Sequence, residues 1–253
     1  MKHWNSAAAR RIQAKGQHED VSIAIRGIAE DLLRDCSTPP TDLAAIAHAL
    51  GATIATESIF GSGELRKTGT GYLIVASKDI SPERQRFTIA HEIAHLVIEG
   101  TGARPPRRGK ELERLCDRLA VELLLPASAF VRVLPEHPTI SDIFGLARTF
   151  QASLTATAQR VAELSNTTVL EIHRRQITWH RGTLDPLPLL RDNAFQQVMQ
   201  KAELGQSGND EFYFDAGGSL KRVHVEFQAL GNVQKALFLL RPLRMRQPLS
   251  QSA

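Results

Sequence analysis

The sequence is poor in cysteine and in aromatic residues, and these shortages exclude several classes of protein. It has two cysteines among 253 residues, Cys36 and Cys116, which is too few for the disulfide framework of a secreted mini-protein. Aromatic residues make up 6% of the chain, but hydrophobic residues make up 42%, which is enough to build a buried core. We therefore expect a globular protein of a reducing, intracellular compartment.

Long apolar runs are absent as well. No stretch approaches the length of about 18 apolar residues that predicts a transmembrane helix. The N-terminal residues also lack the apolar centre of a secretion signal. We therefore expect a cytoplasmic protein with no membrane partner. Its net charge of +4 and pI of about 9.3 permit contact with nucleic acid without requiring it.

The first half of the chain predicts helices that flank a group of short strands. Residues 1–20 lack a clear period, and we expect them to form a loose arm. Four segments have apolar residues at helical spacing: 21–33, 43–50, 81–98 and 111–125. Three runs separated by glycine turns predict strands, which we expect to form an antiparallel meander: 53–59, 64–67 and 72–76.

The second half has a different composition. Two short helical patterns lie at about 139–150 and 153–164, and a proline-containing stretch at 184–188 resembles a linker. The remaining segments predict one helix and three strands: 190–203, 211–215, 220–229 and 234–240.

The segment His91-Glu92-Ile93-Ala94-His95 is an H-E-x-x-H motif inside a predicted helix. Residues four apart share one face of a helix, so both imidazoles can bind one metal ion. Glu92 lies about 100° around the helix from His91, where its carboxylate can act as a general base beside the metal. Apolar residues surround the motif, and burying three ionisable groups without partners would be costly. The motif therefore predicts a zinc site with Glu92 as its catalytic base.

A catalytic zinc site needs a third protein ligand and an open fourth position. Five acidic residues downstream are candidates for this ligand: Glu99, Glu111, Glu113, Asp117 and Glu122. Glu99 continues the helix face of His95, whereas Glu111 and Glu122 are predicted on the more polar side of the next helix. Glu113 belongs to a stripe of mixed small, polar and apolar side chains that can approach the motif helix closely. We therefore favour Glu113 as the third ligand.

Asp117 follows Glu113 by one helical turn. Metal-bound histidines usually donate their second ring N–H to a carboxylate or carbonyl, and Asp117 could accept it from His91 or His95. The alternative is an ordinary surface pair with Arg114 or Arg118, which would contribute little to stability.

Two blocks of this sequence resemble the ImmA/IrrE family of bacterial metallopeptidases. The first block runs from Arg86 to Leu96 and contains the H-E-x-x-H motif, and the second runs from Glu113 to Pro126 and ends in Leu-Leu-Leu-Pro. The resemblance covers about residues 38–130. The family pattern has its third zinc ligand at the first glutamate of the second block, which implies Glu113 here. The family often has asparagine where this chain has Asp117.

The resemblance implies both a fold and a function. The implied fold is α+β, with a zincin-like helical protease domain and a small antiparallel sheet over residues 21–135. A helix-turn-helix-like region over 136–178 and a small GAF-like α/β module over 179–253 would follow. Family members typically cleave a helix-turn-helix repressor and so switch on genes of a stress response, a DNA-damage response or a mobile element. We therefore expect a zinc endopeptidase with such a protein as its substrate.

Two other functions are compatible with the sequence. Arg104, Arg107, Arg108 and Lys110 form a basic loop which, with the helical pair at 139–164, suits a DNA-binding regulator that has a structural zinc site. Structural zinc sites normally have four protein ligands and favour cysteine, and Cys116 is more simply explained as a small buried residue. A sensor with an inactive site is the other alternative, although all four proposed site residues are present.

Overall fold

The structure is a computed structural model that describes residues 4, 6–34, 38–100, 109–215, 220–231 and 234–243. Cys36 and the basic-loop residues Arg104, Arg107 and Arg108 lie outside the described residues. The described part is mixed α+β, with nine α-helices, one short 3-10 turn and two β-sheets. None of its helices is long and apolar enough to cross a membrane. The chain divides into two compact units.

The first unit contains the H-E-x-x-H motif and comprises residues 1–133 and 146–156. Its helices are α1 (Ala7–Lys15), α2 (Val21–Leu32), α3 (Leu43–Ala49), α4 (Pro82–Glu99), α5 (Lys110–Leu124) and α6 (Ala127–Val133). Its strands are β1 (Ala52–Glu57), β2 (Gly63–Lys67) and β3 (Tyr72–Ser77). The carboxylates of Asp20 and Asp42 and the hydroxyl of Ser81 accept backbone N–H groups at the starts of α2, α3 and α4. These caps confirm the predicted helix starts near residues 21, 43 and 82.

Helix α1 shows that the prediction of a loose N-terminal arm is wrong. Ser6 caps this helix by accepting a hydrogen bond from the backbone N–H of Ala9 at 3.1 Å. Ala8, Ala9 and Ile12 are buried and form its inner face. This stripe is short and made mostly of alanine, so it has little of the hydrophobic contrast that identifies a helix in a sequence.

The sheet of the first unit also differs from the predicted antiparallel meander. Its strand order is β1-β3-β2, and β3 pairs in parallel with β1 and antiparallel with β2. The central position of β3 follows from its sequence, because Ile74, Val75 and Ala76 are continuously apolar and all are buried. The turn residues predict where the strands end, but they do not specify which strands become neighbours.

Strand β2 lies directly against α4. A Cβ atom added to Gly63 would be 2.1 Å from Cγ2 of Thr88, which is a steric clash. Glycine therefore allows the strand to approach the helix one turn before His91.

The second unit comprises residues 134–145 and the residues from 157 onwards, so α7 (Ile140–Phe150) and α8 (Leu154–Leu164) contribute to both units. Its other elements are β4 (Thr168–His173), β5 (Gln176–Gly182), a 3-10 turn (Leu189–Arg191), α9 (Asn193–Glu203), β6 (Gly208–Asp215), β7 (Leu220–Ala229) and β8 (Lys235–Leu243). The five strands form an antiparallel sheet in the order β5-β4-β8-β7-β6. Phe195 of α9 packs on Phe212 and Phe238 of this sheet.

The structure confirms α7, α8, α9 and the last three strands at close to their predicted positions. Strands β4 and β5 are not predicted from the sequence, because polar residues interrupt their apolar runs. Glu171 is the main interruption, and its buried carboxylate is compensated by Lys235, whose Nζ lies 2.8 Å away.

Candidate metal centre

Helix α4 presents both histidines of the motif on one face. Ser81 and Pro82 fix the start of the helix, and Gly100 ends it with a positive φ of 64°. The Nε2 atoms of His91 and His95 lie 3.1 Å apart. Ile93 and Ala94, between the two histidines, are fully buried, which anchors the motif in the core of the first unit.

Helix α5 brings Glu113 to the same point. Its Oε2 atom lies 3.2 Å from Nε2 of His91 and 3.5 Å from Nε2 of His95. One ligand atom from each of these three residues falls within a group no wider than 4.8 Å, so the group can hold a metal ion. The side chain of Glu113 is 47% exposed, whereas that of His95 is 6% exposed. The centre is therefore closed on the His95 side and open to solvent beside Glu113.

A carboxylate holds the other nitrogen of each imidazole. Nδ1 of His91 lies 2.9 Å from Asp117, and Nδ1 of His95 lies 2.9 Å from Glu99. Because an ionised carboxylate can only accept, both Nδ1 atoms are donors. When the rings are neutral, both Nε2 atoms are therefore acceptors that face each other and Glu113. Three electron-rich atoms so close together repel one another, and a bound cation would relieve that repulsion.

The charges around His91 alter its proton affinity. Burial of the ring acts to lower the pKa of His91, but its hydrogen bond to Asp117 and the negative charges of Asp117, Glu92 and Glu113 outweigh burial. The net effect is a pKa above the ordinary histidine value of 6.5. Glu92 is half-buried and close enough to contribute to this field, yet it does not belong to the three-residue group.

The remaining acidic candidates lie elsewhere. Glu111 accepts a hydrogen bond from the backbone N–H of Ser6 at 3.1 Å. Glu122 was expected on the polar side of α5, but it is buried and lies 3.5 Å from Nε of Arg26. Glu99 contacts Nδ1 of His95, the ring nitrogen that faces away from Glu113, and does not belong to the group of potential ligand atoms. Its spacing of four residues from His95 is the signal that could have predicted this contact.

Asp117 and Cys116 of α5 do not make the contacts that the alternative interpretations predict, which are a surface ion pair for Asp117 and a zinc bond for Cys116. Asp117 contacts His91, and the guanidinium of Arg118 donates instead to the hydroxyl of Ser22 at 3.1 Å. Cys116 is fully buried, and this burial, together with the nearby carboxylates, raises the pKa of its thiol. The thiol does not belong to the group of three potential ligand atoms.

Comparison with known proteins finds a family similar to this region. Residues 42–162 match the profile of the IrrE N-terminal-like domain, a peptidase family. This part of the chain, which includes α4 and α5, is therefore similar to the ImmA/IrrE family of metallopeptidases.

Individual proteins resemble the chain to different extents. It is 30% identical to the radiation response metalloprotease IrrE of Deinococcus deserti over 135 residues, which are 49% of this chain and 48% of that protein. The match thus spans about half the length of the relative. A transcriptional regulator of Mycobacterium tuberculosis has a similar fold, with a TM-score of 0.56 over 93% of this chain and 79% of that one. Only 13% of residues are identical in that comparison, so it establishes the fold alone.

Proposed function

We propose that the chain is a zinc-dependent endopeptidase in which His91, His95 and Glu113 bind the metal and Glu92 is the general base. The observation that carries this proposal is the convergence of two Nε2 atoms and one carboxylate oxygen within 4.8 Å, beside a separate carboxylate. Similarity to a metallopeptidase family supports the same reaction.

The donor atoms and their spacing suit zinc. A tetrahedral zinc ion has bonds of about 2.0–2.1 Å to nitrogen and oxygen, which places its ligand atoms roughly 3.3 Å from one another. The three separations between the side chains are 3.1, 3.2 and 3.5 Å. Two histidines and one glutamate are also the ligand set of a known class of catalytic zinc sites.

The number of ligands favours catalysis over a structural role. Structural zinc sites are closed by four protein ligands, often cysteines. The described residues supply three potential ligand atoms to this centre, and the thiol of Cys116 is not one of them. The side chain of Glu113 is 47% exposed, so this side of the centre is accessible to water, as a hydrolytic site requires.

Each residue of the proposed site has a separate role in hydrolysis. His91, His95 and Glu113 would hold the ion, and a zinc ion bound there would lower the pKa of water to about 7 and polarise the substrate carbonyl. Glu92 accepts a proton from the attacking water at its carboxylate and delivers that proton to the leaving amine nitrogen. Asp117 and Glu99 fix the two imidazoles so that their Nε2 atoms face each other and Glu113, where they would bind the ion.

We propose that the substrate is a helix-turn-helix transcriptional repressor, whose cleavage switches on stress-response, DNA-damage or mobile-element genes. The family resemblance supports this substrate class. The name of the Deinococcus deserti relative, a radiation response metalloprotease, is consistent with such a regulatory role.

The decisive experiment compares two glutamate-to-glutamine variants on helix α4. The parent protein, Glu92→Gln and the control Glu83→Gln are incubated with zinc and with each candidate repressor encoded beside the gene. Cleaved bonds are then mapped by mass spectrometry. Glu83 is exposed on the first turn of α4, so its variant should cleave at the parent rate. Loss of the general base should slow cleavage at least about 10²-fold while zinc content stays at the parent level. Cleavage by Glu92→Gln at the parent rate would show that the assigned mechanism is wrong.

A further inference from the structure

Helix α1 contacts α4 and α5, the two helices that carry the proposed metal ligands. In the sequence it precedes the region that matches the family profile, which begins at residue 42. Two of its basic side chains reach the C-terminal end of α4. Nη1 of Arg11 donates to the backbone carbonyl of Glu99 at 2.6 Å, and Nζ of Lys15 donates to that of Val97 at 3.4 Å. The helix that the sequence predicts to be a loose arm therefore contacts the helix that carries both histidines.

These carbonyls are at the end of α4 that needs partners. The last four carbonyl groups of an α-helix have no acceptor role within the helix, and cations are favoured there because of the helix dipole. The carbonyl of Leu96 is satisfied by the backbone N–H of Gly100 at 3.0 Å. Arg11 and Lys15 supply donors for two of the others, so α1 completes the end of α4.

Glu99 is consequently held at two points. Its backbone carbonyl accepts from Arg11, and its carboxylate accepts from Nδ1 of His95 at 2.9 Å. The last residue of a helix frays readily unless it is tied down. Fraying of α4 at Glu99 would withdraw the carboxylate from His95 and release the orientation of its ring.

Helix α1 is also attached to α5, which carries Glu113. The backbone N–H of Ser6 donates to Oε1 of Glu111 at 3.1 Å. The buried residues Ala8, Ala9 and Ile12 fill the space between these attachments. A short helix thus connects the two helices that provide the three ligand atoms.

We propose that Arg11 is a positioning residue for the metal centre, acting on His95 through the backbone and carboxylate of Glu99. This inference rests on the proposed metal site. Loss of a carboxylate that orients a metal-bound histidine typically lowers metal affinity by about 10- to 100-fold. Arg11 acts one contact further away, so its loss should weaken zinc binding by about three- to tenfold.

The test is a thermodynamic cycle on zinc affinity, measured by competition with a chromophoric chelator in the full chain. Arg11→Met removes the guanidinium but keeps an aliphatic side chain to pack against its neighbours. It is compared with Glu99→Ala, which removes the acceptor of the His95 ring, with the double variant, with Arg11→Lys and with the control Arg10→Ala. Arg10 is an exposed residue of the same helix. Folding of each variant is checked by urea unfolding without metal, and Arg11→Gln replaces Arg11→Met if the latter does not fold.

The proposed coupling makes specific results expected. Arg11→Met should weaken zinc binding in the parent but have no further effect in the Glu99→Ala background, because the two changes break one connected path. Arg11→Lys should recover most of the affinity, since its ammonium can also donate to the carbonyl, and Arg10→Ala should match the parent.

Two results would overturn the inference. These are unchanged affinity in Arg11→Met, and equal losses from Arg11→Met in both backgrounds, which would mean that Arg11 does not act through Glu99. A parent protein that binds no zinc would instead contradict the metal centre itself, so the two failures are distinguishable.

Discussion

Each imidazole of the candidate metal centre has one nitrogen that donates to a carboxylate, and its other nitrogen faces the other imidazole and Glu113. The spacing of the H-E-x-x-H motif is sufficient to predict that His91 and His95 share a face of α4. The spacing does not predict which nitrogen of each ring faces the centre. That orientation depends on the contacts of Asp117 and Glu99 with the Nδ1 atoms. The first of these acids comes from another helix, and only packing determines its distance.

This arrangement predicts how zinc binding depends on pH. Zinc requires neutral imidazoles, so affinity should fall as pH is lowered, and for His91 the fall should begin above the ordinary pKa of 6.5. The sign is opposite for the stability of the metal-free fold. Protonated His91 stabilises it fully below pH 6.5, and this contribution is lost as pH rises through the raised pKa.

Zinc affinity measured between about pH 5 and pH 8 would check this dependence, with Asp117→Asn as the matched variant. The variant removes the negative charge of Asp117, one of three carboxylates that raise the pKa of His91, so the midpoint of its affinity loss should move to lower pH. Coincident midpoints in the parent and the variant would contradict the contact between Asp117 and His91.

At the scale of elements, the helices of the first unit follow from local sequence more closely than the strands do. Ser81, Pro82 and Gly100 mark the ends of α4 because helix caps are chemical features of single residues. The order β1-β3-β2 depends instead on contacts between distant residues, which turn residues do not encode. The sequence does not predict helix α1, because its buried face consists of two alanines and an isoleucine. Contacts with α4 and α5 stabilise this helix.

The close approach of β2 to α4 predicts a selective effect of adding a methyl group. Gly63→Ala would place Cβ 2.1 Å from Thr88, so the strand or helix must move, at a cost of about 1–3 kcal/mol in the free energy of unfolding. Gly69→Ala is the matched control, because no atom lies within 4 Å of a Cβ added there. It should change stability by less than about 0.5 kcal/mol.

Urea unfolding of the metal-free protein would measure both variants. Thr88→Ser removes the obstructing methyl group and should therefore recover part of the stability lost in Gly63→Ala. Equal stability of Gly63→Ala and Gly69→Ala would mean that β2 does not contact α4 as described.

At the scale of the whole molecule, the three proposed metal ligands belong to the first of two compact units. The apolar patterns of the second unit predict α9 and three of its strands, but they do not predict β4 and β5. Buried Glu171 accounts for part of this difference, because its partner Lys235 is more than sixty residues away in the sequence. A compensated charge inside a sheet cannot be recognised from one strand alone.

Zinc should stabilise the folded chain because it binds three residues that only folding brings together. At a free concentration of about 1,000 times the Kd, this stabilisation amounts to about 4 kcal/mol. Hydrogen exchange with zinc and after chelation should show added protection in the amides of α4 and α5. Glu113→Gln at the same zinc concentration should show much less. No difference between the zinc-bound and chelated parent would contradict the proposed ligands.

The burial of Cys116 has a practical consequence for observing these events in time. The thiol lies on α5 between Glu113 and Asp117 with none of its surface exposed, and burial raises its pKa. A thiol-specific dye reacts with exposed thiolate, so labelling requires α5 to separate from its neighbours. In a Cys36→Ser variant, the rate of dye incorporation therefore measures how often α5, the helix that carries Glu113, separates from its neighbours. Zinc should lower this rate.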